Sequence, residues 1–273
     1  MTERSTIAFI GGGNMAVSLA GGLQADTSAP HVIISEPKQD QRERLAARFP
    51  AAQLTDDNAA AAGEADIVIL AVKPQVMQSV AESIASALGH RPLILSIAAG
   101  ITTERLDAWL GGGQPIVRAM PNTPALVGSG ATGLFANARA SAKQRSAAEH
   151  VMRCVGLVQW FEHENELDAV TALSGSGPAY VFLLMEALEA GGTDLGLEPK
   201  VARLLALQTV FGAAKLALES DDPPAVLRER VTSPGGTTQQ ALQVFENGKL
   251  RELVAQAMQA AARRAHELAE GRP

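Results

Sequence analysis

Residues 6–16 limit what this chain can become more than any other stretch. The run Thr6-Ile7-Ala8-Phe9-Ile10 is β-branched and aromatic enough for a buried strand, and residues 14–23 have the alanine, leucine and methionine content of a helix. Between them lies Gly11-x-Gly13-x-x-Ala16. In such a strand-turn-helix the first glycine permits the tight turn, the second lets the backbone approach a pyrophosphate, and the small third residue lets helix and strand pack closely. The phosphates then meet N–H groups at the start of the helix. A dinucleotide-binding βαβ unit opening a parallel sheet is the expectation.

The remaining bulk properties narrow the class. At 273 residues the chain has room for two ordinary domains. A hydrophobic fraction of 47% with 19% charged residues reads as soluble and globular. The net charge of −6 and a pI near 5.4 leave no electrostatic footprint for nucleic acid or an anionic membrane. The longest charge-free window, 119–138, holds Pro121, Asn122, Pro124, Asn137 and three glycines, so no membrane span is expected there or elsewhere. The first core strand begins so early that no signal or transit peptide is expected, which favours a cytoplasmic protein. Cys154 is the sole cysteine and reads as an inert thiol at a helix end, with no disulfide or cysteine metal cluster to join.

Downstream of the first helix, strand and helix alternate. Strands are expected over 31–36, near 53–54, and over 65–72, 92–97, 115–120, 131–136 and 157–161. Helices are expected over 39–49, 57–63, 75–88, 102–110 and 141–154. This alternation marks a doubly wound parallel α/β sheet. The run 65–72 is apolar without a break and belongs in the sheet centre with both faces covered. It stops at Lys73-Pro74, on the edge where such sheets bind ligands, and there Lys73 reads either as a cofactor contact or as a surface charge flanking a helix. Ala98-Ala99-Gly100 leave the next strand with residues small enough for a cofactor to lie close. Glu36 stands where an acidic residue takes the adenosine ribose, favouring NAD. Lys38 and Arg42 stand close enough to face a 2′-phosphate instead, and all three also suit a solvated surface. Met120-Pro121-Asn122-Thr123-Pro124 reads as a rigid, extended turn at the ligand edge.

From Asn165 onward the pattern is helical only, over 166–173, 178–191, 199–219, 224–231, 238–247 and 250–270. Residues 179–188 carry one charge, Glu186, and residues 201–218 only Arg203 and Lys215. A helix apolar nearly all round must be buried nearly all round. One small helical domain does not readily bury two of them, so a homodimer sharing this domain is expected, with a self-contained bundle as the alternative. Ser174-Gly175-Ser176-Gly177-Pro178 and Thr232-Ser233-Pro234-Gly235-Gly236-Thr237-Thr238 both read as helix starts with unpaired N–H groups suited to a carboxylate.

With these segments in view, the chain resembles the pyrroline-5-carboxylate reductases. The matching residues are Gly11 to Ala16, Ala71-Val72-Lys73-Pro74-Gln75, Met120-Pro121-Asn122-Thr123-Pro124, the stretch 168–180 through Leu173-Ser174-Gly175-Ser176-Gly177-Pro178, and 232–238. The first motif is shared by many oxidoreductases, and the last two are close to diagnostic. The resemblance implies a Rossmann domain, residues 1–164, followed by an all-helical dimerisation and substrate domain, residues 165–273, in dimers that often assemble further, commonly to decamers. It implies that Gly11, Gly12, Gly13, Asn14 and Met15 hold the pyrophosphate of NADPH, that Ala71, Val72, Lys73 and Pro74 line the cofactor groove, that Asn58 lies near the adenosine, and that Ala98 and Ala99 lie by the nicotinamide. It further implies that Ser233, Gly235, Gly236, Thr237 and Thr238 hold the carboxylate of pyrroline-5-carboxylate, with the Thr238 hydroxyl at the ring nitrogen as the catalytic group. Members that prefer NADPH usually carry a small hydroxyl or basic residue where this chain has Glu36, which admits NADH as the cofactor. No metal is implied.

A protonated cyclic imine is already electrophilic, so orientation rather than a strong acid is what its reduction needs. His31, His90, His150, His163 and His266 accordingly read as solvated rather than catalytic. Two other readings remain at this point. A different imine reductase or a β-hydroxyacid dehydrogenase shares the two-domain layout, though the latter wants a lysine on the helix 178–191, which has none. A non-catalytic nucleotide sensor would bind cofactor without turnover.

Overall fold

A computed structural model describes residues 5–24 and 29–270. The first four residues, part of the short tail behind the leaderless expectation, lie outside them. The described residues fall into two compact units, divided between Ser176 and Gly177 and again between Ala260 and Ala261, so that the last turns of the chain belong with the first unit.

The first unit is built on one eight-stranded sheet, in the order β3-β2-β1-β4-β5-β6-β7-β8. The strands are β1 (Thr6–Ile10), β2 (His31–Ser35), β3 (Gln53–Thr55), β4 (Ile67–Leu70), β5 (Leu93–Ser96), β6 (Ile116–Met120), β7 (Gly130–Ala136) and β8 (Gly156–Trp160). Between them run α1 (Asn14–Gln24), α2 (Gln39–Arg48), α3 (Asn58–Gly63), α4 (Pro74–Ile84), α5 (Thr103–Trp109) and α6 (Ala142–Arg153). Side chains alternate across a strand, and here both alternating sets are buried. Ile7, Phe9, Ile67, Ile69, Leu93 and Leu95 pack on one face with Leu19 and Leu23 of α1 and Val151 and Met152 of α6. Ala8, Ile10, Val68, Leu70 and Ile94 pack on the other face with Met77, Ala81 and Ile84 of α4 and Leu106 of α5. Two covered faces are why these strands read as unbroken apolar runs.

The sheet departs from an all-parallel one at a single pairing. β6 and β7 are antiparallel, with Val117 opposite Ala136 and Met120 opposite Gly133, and β7 then pairs parallel with β8. A parallel crossover needs a helix-length connection. Residues 121–129 hold only one 3₁₀ turn, Thr123–Val127, so the chain returns antiparallel. The stretch Met120-Pro121-Asn122-Thr123-Pro124, read as a rigid, extended turn, is extended at Asn122 and then tightens into this 3₁₀ turn. Pro124 sits in the first turn of a 3₁₀ helix, where its missing donor costs nothing.

Past β8 the chain forms α7 (Glu166–Val170), a π turn over Thr171–Gly175, and then α8 (Gly177–Asp194), α9 (Pro199–Glu219), α10 (Pro224–Arg230), α11 (Thr237–Asn247) and α12 (Leu250–Ala269). Within the second unit α8 and α9 pack on one another, yet α8 buries none of its residues fully. Leu183, Leu204 and Phe211 are 66%, 67% and 60% exposed in the single chain. By length and composition alone Glu166–Asp194 and Pro199–Glu219 are apolar enough to cross a membrane. The expectation of no membrane span is drawn from residues 119–138 and does not weigh these two helices. The property that demands burial in a partner is the same one that passes a membrane test.

Candidate active site

The carboxyl ends of β1, β2, β4 and β5 lie side by side in the sheet, with β1 between β2 and β4, and the segments that leave them form one ligand edge. Gly11 turns the chain out of β1 at φ +101°, and its N–H donates to the Ser35 carbonyl at 2.9 Å. A Cβ at this position would lie 2.9 Å from the Ala71 carbonyl and 3.0 Å from Val72 Cγ1, so only glycine allows β1 and β4 to exit this close together. Gly12 is packed under Leu45, while Gly13 meets nothing and is exposed. Asn14 and Met15 open α1 directly behind it. An open, side-chain-free backbone at a helix start is the cradle a pyrophosphate requires.

The neighbouring expected residues come to the same edge. Ser35, fully buried, donates through Oγ to Asn58 Oδ1 at 2.7 Å, which ties the start of α3 to the end of β2. Ala71 and Val72 leave β4, Lys73 caps α4 with its side chain exposed, and Pro74 is the first residue of that helix. Ala98 is buried and Ala99 half-buried after β5. Glu36 lies at the end of β2 as read. Its Oε2 accepts the Gly12 N–H at 3.1 Å and its Oε1 the Lys38 N–H at 3.1 Å. Arg42 turns away from a phosphate role: its guanidinium donates to the Glu36 and Pro37 carbonyls at 2.7 and 2.9 Å and pairs with Asp56 at 3.4 Å.

The stretch 174–178 is not a helix start with unpaired donors. Ser174 and Gly175 lie inside the π turn, and the Ser176 N–H donates to the Thr171 carbonyl at 2.8 Å. The physical reason is Pro178. It has no N–H for the Ser174 carbonyl one turn back, and the wider turn absorbs the defect. Asn122 completes the repair: its Nδ2 donates to the Ser174 carbonyl at 3.0 Å, while its Oδ1 accepts the Ala131 N–H at 2.9 Å. A π turn of this kind is a frequent mark of a functional position.

In the second unit, 232–238 does form a helix start. Thr232 Oγ1 donates to the Arg228 carbonyl at 2.6 Å, Gly235 takes φ +72°, and its N–H donates to Gln239 Oε1 at 2.6 Å. Gly236 is the N-cap of α11 and offers no side-chain cap, so the N–H groups of Thr237 and Thr238 stay available to a ligand. Ser233 and Thr237 are exposed, and Thr238 is half-buried. A carboxylate suits this loop, and a serine and two threonines add hydroxyl donors around it. Among the described residues no group of three or more His, Cys, Asp or Glu side chains is placed to hold a metal ion.

Comparison with known proteins decides between the readings. Residues 164–268 match the pyrroline-5-carboxylate reductase dimerisation family, and residues 6–100 match the family of NADP oxidoreductases described as coenzyme F420-dependent. The chain is 51% identical to the pyrroline-5-carboxylate reductase of Pseudomonas aeruginosa over 97% of both chains. The chain belongs to the pyrroline-5-carboxylate reductase family. The solved reductase of Coxiella burnetii superposes with a TM-score of 0.92 at 46% identity, covering 97% of this chain and 98% of that one. The Plasmodium falciparum pyrroline carboxylate reductase, solved with NADP bound, superposes with a TM-score of 0.85 at 28% identity, covering 98% of this chain and all of that one.

For this family member, sequence reading missed one residue that the structure makes conspicuous. Glu164 gathers three donors, two from Thr103 and one from Arg118. A signal for it existed: an arginine inside the apolar run Ile116-Val117-Arg118-Ala119-Met120 needs a buried carboxylate from elsewhere.

Proposed function

We propose that this chain reduces L-1-pyrroline-5-carboxylate to L-proline with NADPH, the last step of proline biosynthesis. The observation that carries the reading is the open glycine cradle at Gly11–Gly13 in a chain half identical, over its whole length, to a named reductase of that substrate. When bound, the nicotinamide supplies a hydride to C5 of the imine. The residues of the chain do the rest. Gly11, Gly12, Gly13, Asn14 and Met15 take the pyrophosphate, Asn58 lies by the adenosine, Ala71, Val72, Lys73 and Pro74 wall the groove, and Ala98 and Ala99 leave room for the nicotinamide. Ser233, Gly235, Gly236 and Thr237 hold the substrate carboxylate. The Thr238 hydroxyl hydrogen-bonds the ring nitrogen, which carries a proton before reduction and keeps it in the product amine. Holding the imine in a near-attack position accounts for several kcal/mol of barrier lowering, about the size of a proximity effect.

NADPH rests on the family and on the NADP seen in the Plasmodium relative. NADH is the second reading, because a carboxylate at Glu36 faces the ribose edge and Arg42 is committed to backbone carbonyls and Asp56. The division of labour follows the expected domains, residues 1–164 for the cofactor and 165–273 for substrate and dimerisation. A second copy of the chain, rather than lipid, covers the apolar faces of α8 and α9, giving a homodimer that assembles to a decamer in the cytoplasm. One assay tests the activity: the fall in NADPH or NADH absorbance with pyrroline-5-carboxylate, run separately with each cofactor. Turnover with the first cofactor is expected to exceed turnover with the second. Tight cofactor binding without turnover would replace the enzyme with a nucleotide sensor, and equal turnover of a carboxylate-free cyclic imine would remove the carboxylate role of 233–238.

A further inference from the structure

Arg118 is a cation in the middle of β6, only 3% exposed. Its Nη1 lies 3.2 Å from Glu164 Oε1. The same carboxylate accepts the Thr103 N–H at 2.8 Å through Oε1 and the Thr103 hydroxyl at 2.7 Å through Oε2. Thr103 is the first residue of α5, and the loop that leads into it, residues 98–102, begins with Ala98 and Ala99. Glu164 therefore ties the far end of the β5–α5 loop to β6, a strand paired on both sides by β5 and β7.

Ala98 and Ile101 tuck their side chains into the core under the sheet, but the backbone hydrogen bonds of the loop are weak. At its near end the Ile97 N–H reaches the Leu70 carbonyl at 3.3 Å and the Ala98 N–H reaches Ser96 Oγ at 3.4 Å, both long bonds. Its middle is clasped from outside by the end of α12. Gly100, at φ +72°, lies so close under Leu268 that an added Cβ would be 2.9 Å from the Leu268 Cβ, and Arg105 Nη1 donates to the Ala269 carbonyl at 3.0 Å. With Ala98 and Ile101 seated in the core, the path of the backbone between them is set by the anchors at its end and its back.

We propose that Glu164 is a positioning residue for cofactor binding: through Thr103, and braced by Arg118, it holds the β5–α5 loop in the shape that receives the nicotinamide. This rests on the reading that Ala98 and Ala99 lie by that ring. In this assignment Glu164 acts through Thr103 and not by contact with cofactor or substrate. Both of its oxygens accept, Oε1 from the Thr103 N–H and Arg118 and Oε2 from the Thr103 hydroxyl, so an amide in its place would turn a donor toward Thr103 or Arg118.

The test uses the full-length protein and reads the dissociation constant of NADPH by its fluorescence without substrate, together with steady-state KM for each substrate and thermal unfolding. Glu164→Gln is expected to raise the NADPH dissociation constant and KM about tenfold, part of the roughly hundredfold that a misplacement of an ångström can cost, with KM for pyrroline-5-carboxylate unchanged. Thr103→Val leaves the Arg118–Glu164 pair intact and cuts only the hydroxyl link to the loop. It is expected to raise the NADPH constants about threefold, as the loss of one modest hydrogen bond does, with little change in unfolding temperature. A lower unfolding temperature in Glu164→Gln with unchanged NADPH constants would overturn the proposal, leaving a merely structural ion pair. If Glu164→Gln does not fold, Thr103→Val decides, and unchanged NADPH binding in that variant overturns the proposal equally. NADPH binding by the wild-type chain without turnover of pyrroline-5-carboxylate would count against the proposed reaction and leave this assignment to be read from the binding constants.

Discussion

In the sheet unit Phe9, Ile69 and Met77 are fully buried, whereas in the helical unit Leu183, Leu204 and Phe211 are mostly exposed in the single chain. Both sets are equally apolar, so the difference lies in what covers them. A parallel sheet with helices on both faces closes its own core within one chain. Helices α8 and α9 can cover only one side of each other, and their remaining faces need a second surface. One region is complete as a monomer, and the other is half of something.

The first way to break this comparison is to charge the uncovered face. Phe211→Glu buries a carboxylate wherever the partner sits, at a cost of about 3–5 kcal/mol for an unpaired buried charge. Light scattering should show the oligomer giving way to monomers, with activity lost alongside. Leu157→Glu, an equally exposed apolar position on the edge strand β8 of the sheet unit, should leave the dimer intact. If both variants dissociate the dimer, the asymmetry between the units is not the one described.

The second sharpens the chemical side. Thr238→Ala should lower kcat/KM by about tenfold to a hundredfold, at or below the low end for losing one positioned hydrogen-bonding group, while the oligomer persists. An unchanged value removes Thr238 from the mechanism. A third acts where the helical run leaves the sheet unit. Asn122→Ala strands the Ser174 carbonyl and the Ala131 N–H, and should lower stability by about 1–3 kcal/mol. Thermal unfolding measures this, and an unchanged midpoint would show that the π turn does not depend on that amide. The smallest effect belongs to cofactor choice. Glu36→Ser removes a charge near the ribose edge, and the ratio of kcat/KM for NADPH over NADH should rise by about fivefold, a contribution near 1 kcal/mol for a solvated charge pair. A ratio that falls would place the 2′-phosphate elsewhere.

Much of the sheet unit was legible in the chain because its signals are local. Strands buried on both faces leave apolar runs such as Ile67-Val68-Ile69-Leu70, and the helices between them carry periodic apolar positions. Gly11 announced itself because a positive φ and a close approach to Ala71 are conditions only glycine meets. The direction of β7 was not legible, since pairing is set by the length of connection and by partners far off in sequence. Nor was the π turn at Thr171–Gly175: a proline after a glycine-rich stretch looks like a helix start, and only the Asn122 amide, contributed from another segment, makes a continuing helical path acceptable.

The sequence by itself determined the nucleotide cradle, the alternation of strands and helices, and the surplus of apolar helix that demands a partner. Each of these is written in short spans, by glycine placement and by the periods of burial. Only the tertiary structure decided that Arg118 meets Glu164, that Glu164 in turn holds Thr103, and that Leu268 closes over Gly100. These residues lie far apart along the chain, and a buried charge names the kind of partner it needs without saying where that partner is.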